Sequence, residues 1–277
     1  MDTLLVSSIY FLTSALIGII IITLCHRQKY AINIASLITV IVVICTAVIT
    51  KQFIVPLYLS ERYESNLIAG DSTYLYIARK FPTEYKEYIS IMKNIIRKSN
   101  STNEQFYEEY TFLNAIYTKC LVFAENDKIY AFYKAKQDLY TALVEFDPEM
   151  VFYLELPNKL SDRPDKTLIS ELIDHKYIEN YTKTKETLII SAITNPQSPM
   201  TDQQRQNATV MLANLMQELS EQNQLSIFEQ SANDGNNPEL DKKQAVIAML
   251  TFYNDLLATG VENTGIISRY IASRSQH

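Results

Sequence analysis

Three ionisable residues with a helical spacing are the first candidates for chemistry in this sequence. Glu171, His175 and Glu179 are four residues apart, so on one helix they would share a face. Two carboxylates beside an imidazole could hold a metal ion or orient the histidine as a general base. The alternative is a solvated helix face on which the carboxylates merely flank a histidine.

Recognised catalytic motifs are missing from the sequence. The chain has 3 histidines, and it lacks Gly-rich phosphate loops and the CxxC, HExxH and GxSxG patterns. We therefore expect no cofactor and assign no catalytic residue, and the sequence favours a protein that is not an enzyme.

Cys120 is a further candidate, because it follows Lys119 and a nearby cation can lower the pKa of a thiol. Leu113, Ile116 and Phe123 share its side of the predicted helix, which favours burial as a small apolar residue. The chain has 3 cysteines, two of them in apolar runs, so the sequence predicts no disulfide framework.

Tyrosines form another group, since the chain contains 19 of them and several recur at helical spacing. Packing between helices, with the hydroxyl at the rim, explains such a pattern. Tyrosine is also enriched at interfaces, so the same rings are candidates for a surface that binds a protein, a peptide or a glycan. The candidate partner surface consists of Tyr85, Tyr88, Tyr107, Tyr110, Tyr130 and Tyr133.

Helices are the elements that must position all these residues. The chain has only 5 glycines, which argues against tight β-hairpins, because positive-φ turn positions favour glycine. Signals for helix starts are frequent. Pro82 suits a first helical turn, and Ser101 with Glu104 and Thr201 with Gln204 have the spacing of capping boxes. The sequence predicts an all-α fold, whose soluble part is an irregular bundle or a short solenoid-like array.

The sequence predicts four local features of these helices. Pro56 is expected to kink or break the helix that leaves the second apolar run. One long helix is predicted over residues 166–194. Asn237 followed by Pro238 predicts the start of the last long helix, and Gly260 predicts its end.

Two apolar runs without acidic or basic side chains occupy the first fifty residues. The runs, 4–25 and 31–50, each have roughly the 20 residues that a membrane-spanning helix needs. A cleavable signal peptide would need an early basic residue, which this N-terminal sequence lacks. Since loop 26–30 cannot cross a bilayer, we predict an antiparallel transmembrane hairpin within residues 1–55.

Small residues indicate how the predicted hairpin packs. Ser7, Ser14 and Gly18 lie on one face of the first span, and small side chains let two membrane helices approach closely. The second span of the same hairpin is the expected partner, and a second copy of the chain is the alternative.

Basic residues indicate how the hairpin is oriented. Arg27 and Lys29 lie in the loop, and the positive-inside rule places such a loop in the cytoplasm. Residues 51–277 would then be extracytoplasmic, for example periplasmic. Lys51 directly after the second span weakens this bias, and the reverse orientation would place the soluble domain in the cytosol.

A polar connector divides the soluble part of the sequence. Residues 157–166 separate a Tyr-rich helical subdomain, 56–156, from a second helical subdomain, 167–277. The formal net charge of −6 offers no basic footprint for nucleic acid, so no nucleic-acid partner is expected.

These observations predict a membrane-anchored helical protein that acts as a non-enzymatic interaction or assembly component. Its expected location is a bacterial inner membrane or a plasma membrane, with two spans. The expected partners are membrane lipid and a protein, with a homo-oligomer as one form of the latter. The alternatives are a membrane-tethered enzyme or metal protein, and a secreted effector whose hairpin inserts into a host membrane.

Overall fold

The computed structural model describes residues 15–23, 32–98, 102–155, 171, 173–233 and 240–274. All regular secondary structure in these ranges is helical, which confirms the all-α prediction. Helix α1 covers 15–23. The other helices are α2 (Ile32–Ile49), α3 (Val55–Gly70), α4 (Thr73–Lys80), α5 (Pro82–Lys98), α6 (Thr102–Leu121), α7 (Asn126–Val144), α8 (Pro148–Glu155), α9 (His175–Thr194), α10 (Asp202–Glu221), α11 (Leu225–Asn233), α12 (Lys242–Ala258) and α13 (Val261–Arg274).

A π-helical turn, Thr50–Ile54, joins α2 directly to α3. Within the described ranges, Val40–Gly70 is the one helix long and apolar enough to cross a membrane. Its 31 residues would extend about 46 Å at 1.5 Å per residue. Many of its large apolar side chains are exposed, namely Val40, Ile41, Ile44, Val48, Ile49, Phe53, Ile54 and Leu57. Exposure of this kind is typical of a helix that faces lipid and unlike a helix in a protein core.

The rest of the predicted hairpin falls largely outside the described residues. Ser7, Ser14, Arg27 and Lys29 all lie outside them, as does loop 26–30. Gly18 lies in α1, and a Cβ added there would meet no described atom within 4 Å. A second span, the close packing at Gly18 and the side of the membrane therefore stay predictions.

Pro56 lies inside α3 and does not end it, so the expected break is absent. A proline lacks the N–H of a regular turn, and its ring clashes with the carbonyl four residues earlier. The π-helical turn ends two residues before this proline, and the N–H of Val55 donates to the carbonyl of Thr50. The wider turn is one way to accommodate the ring within a continuous helix.

The chain divides into two compact units, one from residues 1–70 with 89–102 and one from residues 71–88 with 103–277. In the first unit, Arg97 of α5 contacts α3. Its Nε donates to the Oγ of the buried Ser60 at 2.8 Å, and its guanidinium pairs with Glu61. These contacts tie the end of α5 to the polar half of the long helix.

The second unit is built around α7, which packs against α8, α9, α12 and α13. Buried side chains recur every three or four residues along α7, as a core-facing helix requires. They are Ile129, Phe132, Ala135, Lys136, Leu139, Tyr140 and Leu143. A second apolar cluster joins α10, α12 and α13 through Leu215, Leu219, Phe252, Leu256 and Ile267.

The predicted connector, residues 157–166, lies outside the described residues, so the boundary between two helical subdomains stays a prediction. Helix α7 comes before this connector in the sequence, whereas α9, α12 and α13 come after it. All four belong to the second unit.

Several predicted helix ends are confirmed. Helix α5 begins at Pro82, and the capping box of Thr201 and Gln204 is formed at the start of α10. Gly260 follows α12 with a φ of +86°, a left-handed conformation that favours glycine. Ser101 of the other predicted capping box lies outside the described residues.

Two predicted helix starts are wrong, and a capping aspartate explains each. The long helix predicted over 166–194 begins only at His175, because the Oδ1 of Asp174 accepts from the N–H of Lys176 at 3.0 Å. The last long helix begins at Lys242, where Asp241 accepts from the N–H of Gln244. An aspartate carboxylate satisfies the first N–H groups of a helix, which have no partner within it.

Candidate functional site

The predicted ionisable triad is not brought onto one helix face. Asp174 caps α9, so Glu171 comes before the helix that carries His175 and Glu179. All three side chains are exposed. Among the described residues, no group of three or more His, Cys, Asp or Glu side chains could hold a metal ion.

The candidate tyrosine surface is divided between interior and surface. Tyr85, Tyr88 and Tyr107 are buried, with exposures of 4%, 2% and 1%. These rings belong to the core, as the packing alternative expects, and they cannot contact a partner in the folded protein. Tyr110, Tyr130 and Tyr133 remain partly exposed.

Cys120 is buried, and its desolvation raises the pKa of the thiol to about 12, although the nearby charge of Lys80 opposes the shift. A thiol with so high a pKa stays protonated at neutral pH and is a poor nucleophile. Cys120 therefore acts as a small apolar core residue.

Two buried lysines mark a site that the sequence patterns did not reveal. Lys136 on α7 is 8% exposed, and Lys185 on α9 is 4% exposed. An ammonium group taken out of water needs a carboxylate or hydrogen bonds, or it loses its proton. The lysine–tyrosine cluster comprises these lysines and the residues around them, namely Asn114, Glu155, Tyr110, Tyr140, Tyr181 and Tyr253.

Lys136 is paired with a carboxylate. Its Nζ lies 2.6 Å from the Oε1 of Glu155 at the end of α8. The hydroxyl of Tyr253 on α12 donates to the same oxygen. The ring centroids of Tyr253 and Tyr140 lie 4.7 and 5.4 Å from the Nζ, within the range of cation–π contacts. The ion pair thereby joins α7, α8 and α12 inside the second unit.

Lys185 has a different environment. Its Nζ donates to the Oδ1 of Asn114 on α6 at 2.5 Å, and no described carboxylate lies within ion-pair distance of it. The Nζ also lies 4.6 and 4.7 Å from the ring centroids of Tyr110 and Tyr181. Burial lowers the pKa of Lys185 to about 7; the charge of Lys136 adds to this shift, and Glu155 opposes it. A substantial fraction of the amine is therefore uncharged at neutral pH.

The tyrosine hydroxyls beside Lys185 are hydrogen-bonded to each other and to the backbone. The hydroxyl of Tyr110 donates to the carbonyl of Leu154 at 2.6 Å and lies 3.3 Å from the hydroxyl of Tyr181. Burial raises the pKa of Tyr110 and of Tyr181 above the ordinary value of a phenol. Both hydroxyls therefore keep their protons at neutral pH and can donate hydrogen bonds.

A cavity of about 90 Å³ adjoins Lys185. Tyr110 and Tyr181 line it together with apolar side chains from α6 to α9, including Leu113 and Ile178. Thr182 also lines the cavity and is exposed, so the cavity reaches the protein surface. The arrangement places a partly uncharged amine next to a small, mainly apolar space.

The sequence contains a weak signal for this site. Each buried lysine occupies a position within an apolar helical stripe. Lys136 lies between Phe132 and Leu139 in its stripe, and Lys185 comes before Leu188. A lysine in such a stripe can extend its charge into water, so the pattern alone does not identify a buried amine.

Comparisons with family models, with curated proteins and with solved structures gave no match for this chain. The described residues form an all-helical protein. One helix among them is long and apolar enough to cross a membrane.

Proposed function

We propose that this chain is a membrane-anchored helical protein whose soluble helices act as a non-enzymatic interaction or assembly component. The observation that carries the proposal is the exposure of large apolar side chains along the helix Val40–Gly70. Water-soluble proteins rarely leave an apolar surface of this size uncovered. Membrane lipid is the partner that fits the whole length of this surface.

The anchor is a two-span hairpin in a bacterial inner membrane or a plasma membrane. Support for the first span comes from the apolar run 4–25, of which 15–23 is helical. Arg27 and Lys29 support a cytoplasmic loop, which would make residues 51–277 extracytoplasmic.

The soluble helices would dock a protein partner or a second copy of the chain. Tyr130 and Tyr133, which remain partly exposed, support this role, and so do the exposed side chains of Phe123 and Phe146. Aromatic side chains of this kind contribute strongly to protein interfaces.

Topology mapping tests the anchor and its orientation. Reporter fusions at the C-terminus and in loop 26–30 of the full chain should give opposite signals, with the C-terminal reporter extracytoplasmic. A C-terminal reporter in the cytosol would reverse the orientation, and equal signals from both positions would exclude the hairpin.

Crosslinking in a mild detergent tests the docking role. We expect reproducible crosslinked species that involve the soluble helices and depend on native folding. A chain that stays a solitary monomer in membranes and in detergent would contradict an assembly role.

A further inference from the structure

We propose that Lys185 captures a small neutral carbonyl compound as an imine in the cavity beside it. The site goes beyond the anchoring and docking role, because it gives one buried amine a chemical function of its own. Lys185 lines the cavity, and its Nζ lies within 5 Å of the centroids of two rings that also line it.

The hydrogen bonds of Lys185 suit nucleophilic attack. Its side chain is 4% exposed, and one N–H is directed to the neutral amide oxygen of Asn114. An uncharged amine that donates one hydrogen to Asn114 keeps its lone pair for a carbonyl carbon. Burial of a lysine in apolar surroundings is a recognised way to activate it as a nucleophile.

Lys136 shows why the two buried lysines differ. It is almost as buried as Lys185, yet its Nζ lies 2.6 Å from Glu155, and Lys136 is not among the residues that line the cavity. A ligand in the cavity would therefore contact Lys185 and not Lys136. The chain therefore contains a matched internal control for the reactivity of Lys185.

The cavity restricts the size and charge of the ligand. Since a cavity of about 150 Å³ holds benzene, a space of about 90 Å³ suits a molecule of about four non-hydrogen atoms. Apolar side chains form most of the wall, so an uncharged ligand enters without the cost of desolvating a charge. A short aldehyde meets both conditions.

Charged and titratable groups from several elements face Lys185 and influence its protonation. They are Tyr110 from α6, Lys136 from α7, Glu155 from α8, and Tyr181 and Glu186 from α9. Glu155 opposes loss of the proton from Lys185, whereas Lys136 favours it. Tyr110 and Tyr181 remain protonated, and the hydroxyl of Tyr110 donates to the carbonyl of Leu154.

Imine formation needs no co-reactant. The Nζ of Lys185 attacks the carbonyl carbon, a C–N bond forms, and the carbonyl oxygen takes up a proton. Loss of this oxygen as water, with both hydrogens of the former amine, leaves a C=N double bond. Both protons on the departing oxygen come from the attacking nitrogen, so the step needs no deprotonation of a buried phenol.

Reductive trapping with propanal tests the site. Full-length protein in a mild detergent at pH 7 is treated with limiting propanal and cyanoborohydride, and the propylated lysines are mapped by mass spectrometry of peptides. We expect Lys185 to be labelled at least about tenfold faster than the exposed Lys134, because Lys185 lines the cavity and burial lowers the pKa of its amine to about 7. Lys136, which is buried and does not line the cavity, should remain unlabelled.

Two further measurements make the result decisive. The ratio of the labelling rate of Lys185 to that of Lys134 should be smaller at pH 10, where exposed lysines in general also lose protons. Thr182→Trp, at the exposed edge of the cavity, should slow the labelling of Lys185 and leave that of Lys134 unchanged, while circular dichroism verifies folding.

Two outcomes would overturn the proposal. One is labelling of Lys185 no faster than that of Lys134 in folded protein at pH 7. The other is rapid labelling that Thr182→Trp does not slow, since the reagent would then reach the amine through local unfolding and not through the cavity.

Discussion

The Nζ of Lys185 donates to the Oδ1 of Asn114 at 2.5 Å, so this buried lysine has an amide as its hydrogen-bond partner and not a carboxylate. Asn114 and Lys185 are 71 positions apart in the sequence and meet only where α6 and α9 pack together. An amide oxygen accepts a hydrogen bond from a neutral amine as well as from an ammonium, so it compensates little of the cost of burying the charge.

Replacement of Lys185 should change how stability depends on pH. The pKa of Lys185 is about 7 in the folded protein against 10.5 without burial, so the unfolded chain binds more protons between these values. Stability therefore falls as the pH drops from about 10.5 to about 7. Lys185→Met removes this penalty and should raise the free energy of unfolding at pH 7 by at most about 5 kcal/mol.

The increase in the free energy of unfolding caused by Lys185→Met should disappear towards pH 10.5. There, only the lost hydrogen bond to Asn114 remains, at a cost of about 1 kcal/mol. Chemical unfolding in a mild detergent at pH 7 and pH 10 measures the difference, with the exposed Lys134→Met as the control. An effect of Lys185→Met that is the same at both pH values would contradict the shifted pKa.

Loss of the carboxylate of Glu155 should be strongly destabilising. Glu155→Gln keeps the shape of the side chain but leaves Lys136 buried without its ion partner. We expect a loss of about 3–5 kcal/mol in the free energy of unfolding. Tyr253→Phe, which removes only the hydroxyl that donates to Glu155, should cost about 1 kcal/mol.

A double variant identifies the reason for this loss. Lys136→Met combined with Glu155→Gln removes the unpaired charge and should recover most of the lost stability, as measured by the midpoint of urea unfolding. If the double variant is as unstable as Glu155→Gln alone, the lysine charge is not the cause.

Gly265 permits a close approach between the first turn of α7 and the second turn of α13. A Cβ at this position would overlap the side chain of Asn126, including its Cβ atom, so a rotation of the amide alone cannot relieve the clash. Asn126 is further held by a hydrogen bond from its Nδ2 to the Oε2 of Glu262 at 2.8 Å. Gly265→Ala should therefore lower the free energy of unfolding by about 1–3 kcal/mol.

Gly70→Ala is the matched control for Gly265→Ala. Gly70 is the last residue of α3, and a Cβ there would meet nothing within 4 Å. This replacement should be neutral or stabilising by up to about 1 kcal/mol, because alanine favours a helix more than glycine does. Thermal unfolding of both variants should separate them, and equal effects would argue against the close contact at Asn126.

Cysteine accessibility tests whether lipid covers the apolar helix. Cys45 is exposed among the described residues, and lipid around the helix would protect it from a water-soluble maleimide. We expect no labelling of Cys45 from either side of sealed vesicles, and full labelling after denaturation. Ser65→Cys, on the exposed polar end of the same helix, should be labelled from one side. Labelling of native Cys45 at the rate of Ser65→Cys would exclude a membrane span here.

Local signals in the sequence predicted much of the helical structure, since a cap or a glycine acts within one or two turns. Pro82, the capping box of Thr201 with Gln204, and the left-handed Gly260 all lie where the pattern indicates. The start at His175 was missed because Asp174 reads equally well as an interior helix residue or as a cap. Whether a side chain caps a helix depends on the backbone conformation just before the helix. The spacing of apolar residues gives no information about that conformation.

By itself, the sequence determined the helical class of this protein and an apolar stretch long enough to cross a membrane, because both follow from the order of neighbouring residues. Only the tertiary structure decided that Lys136 has Glu155 as its partner while Lys185 has Asn114 and a small cavity. It also decided that Tyr85, Tyr88 and Tyr107 face the core. Burial and pairing depend on which helices pack together, and residues far apart in the chain set the local dielectric and the available partners.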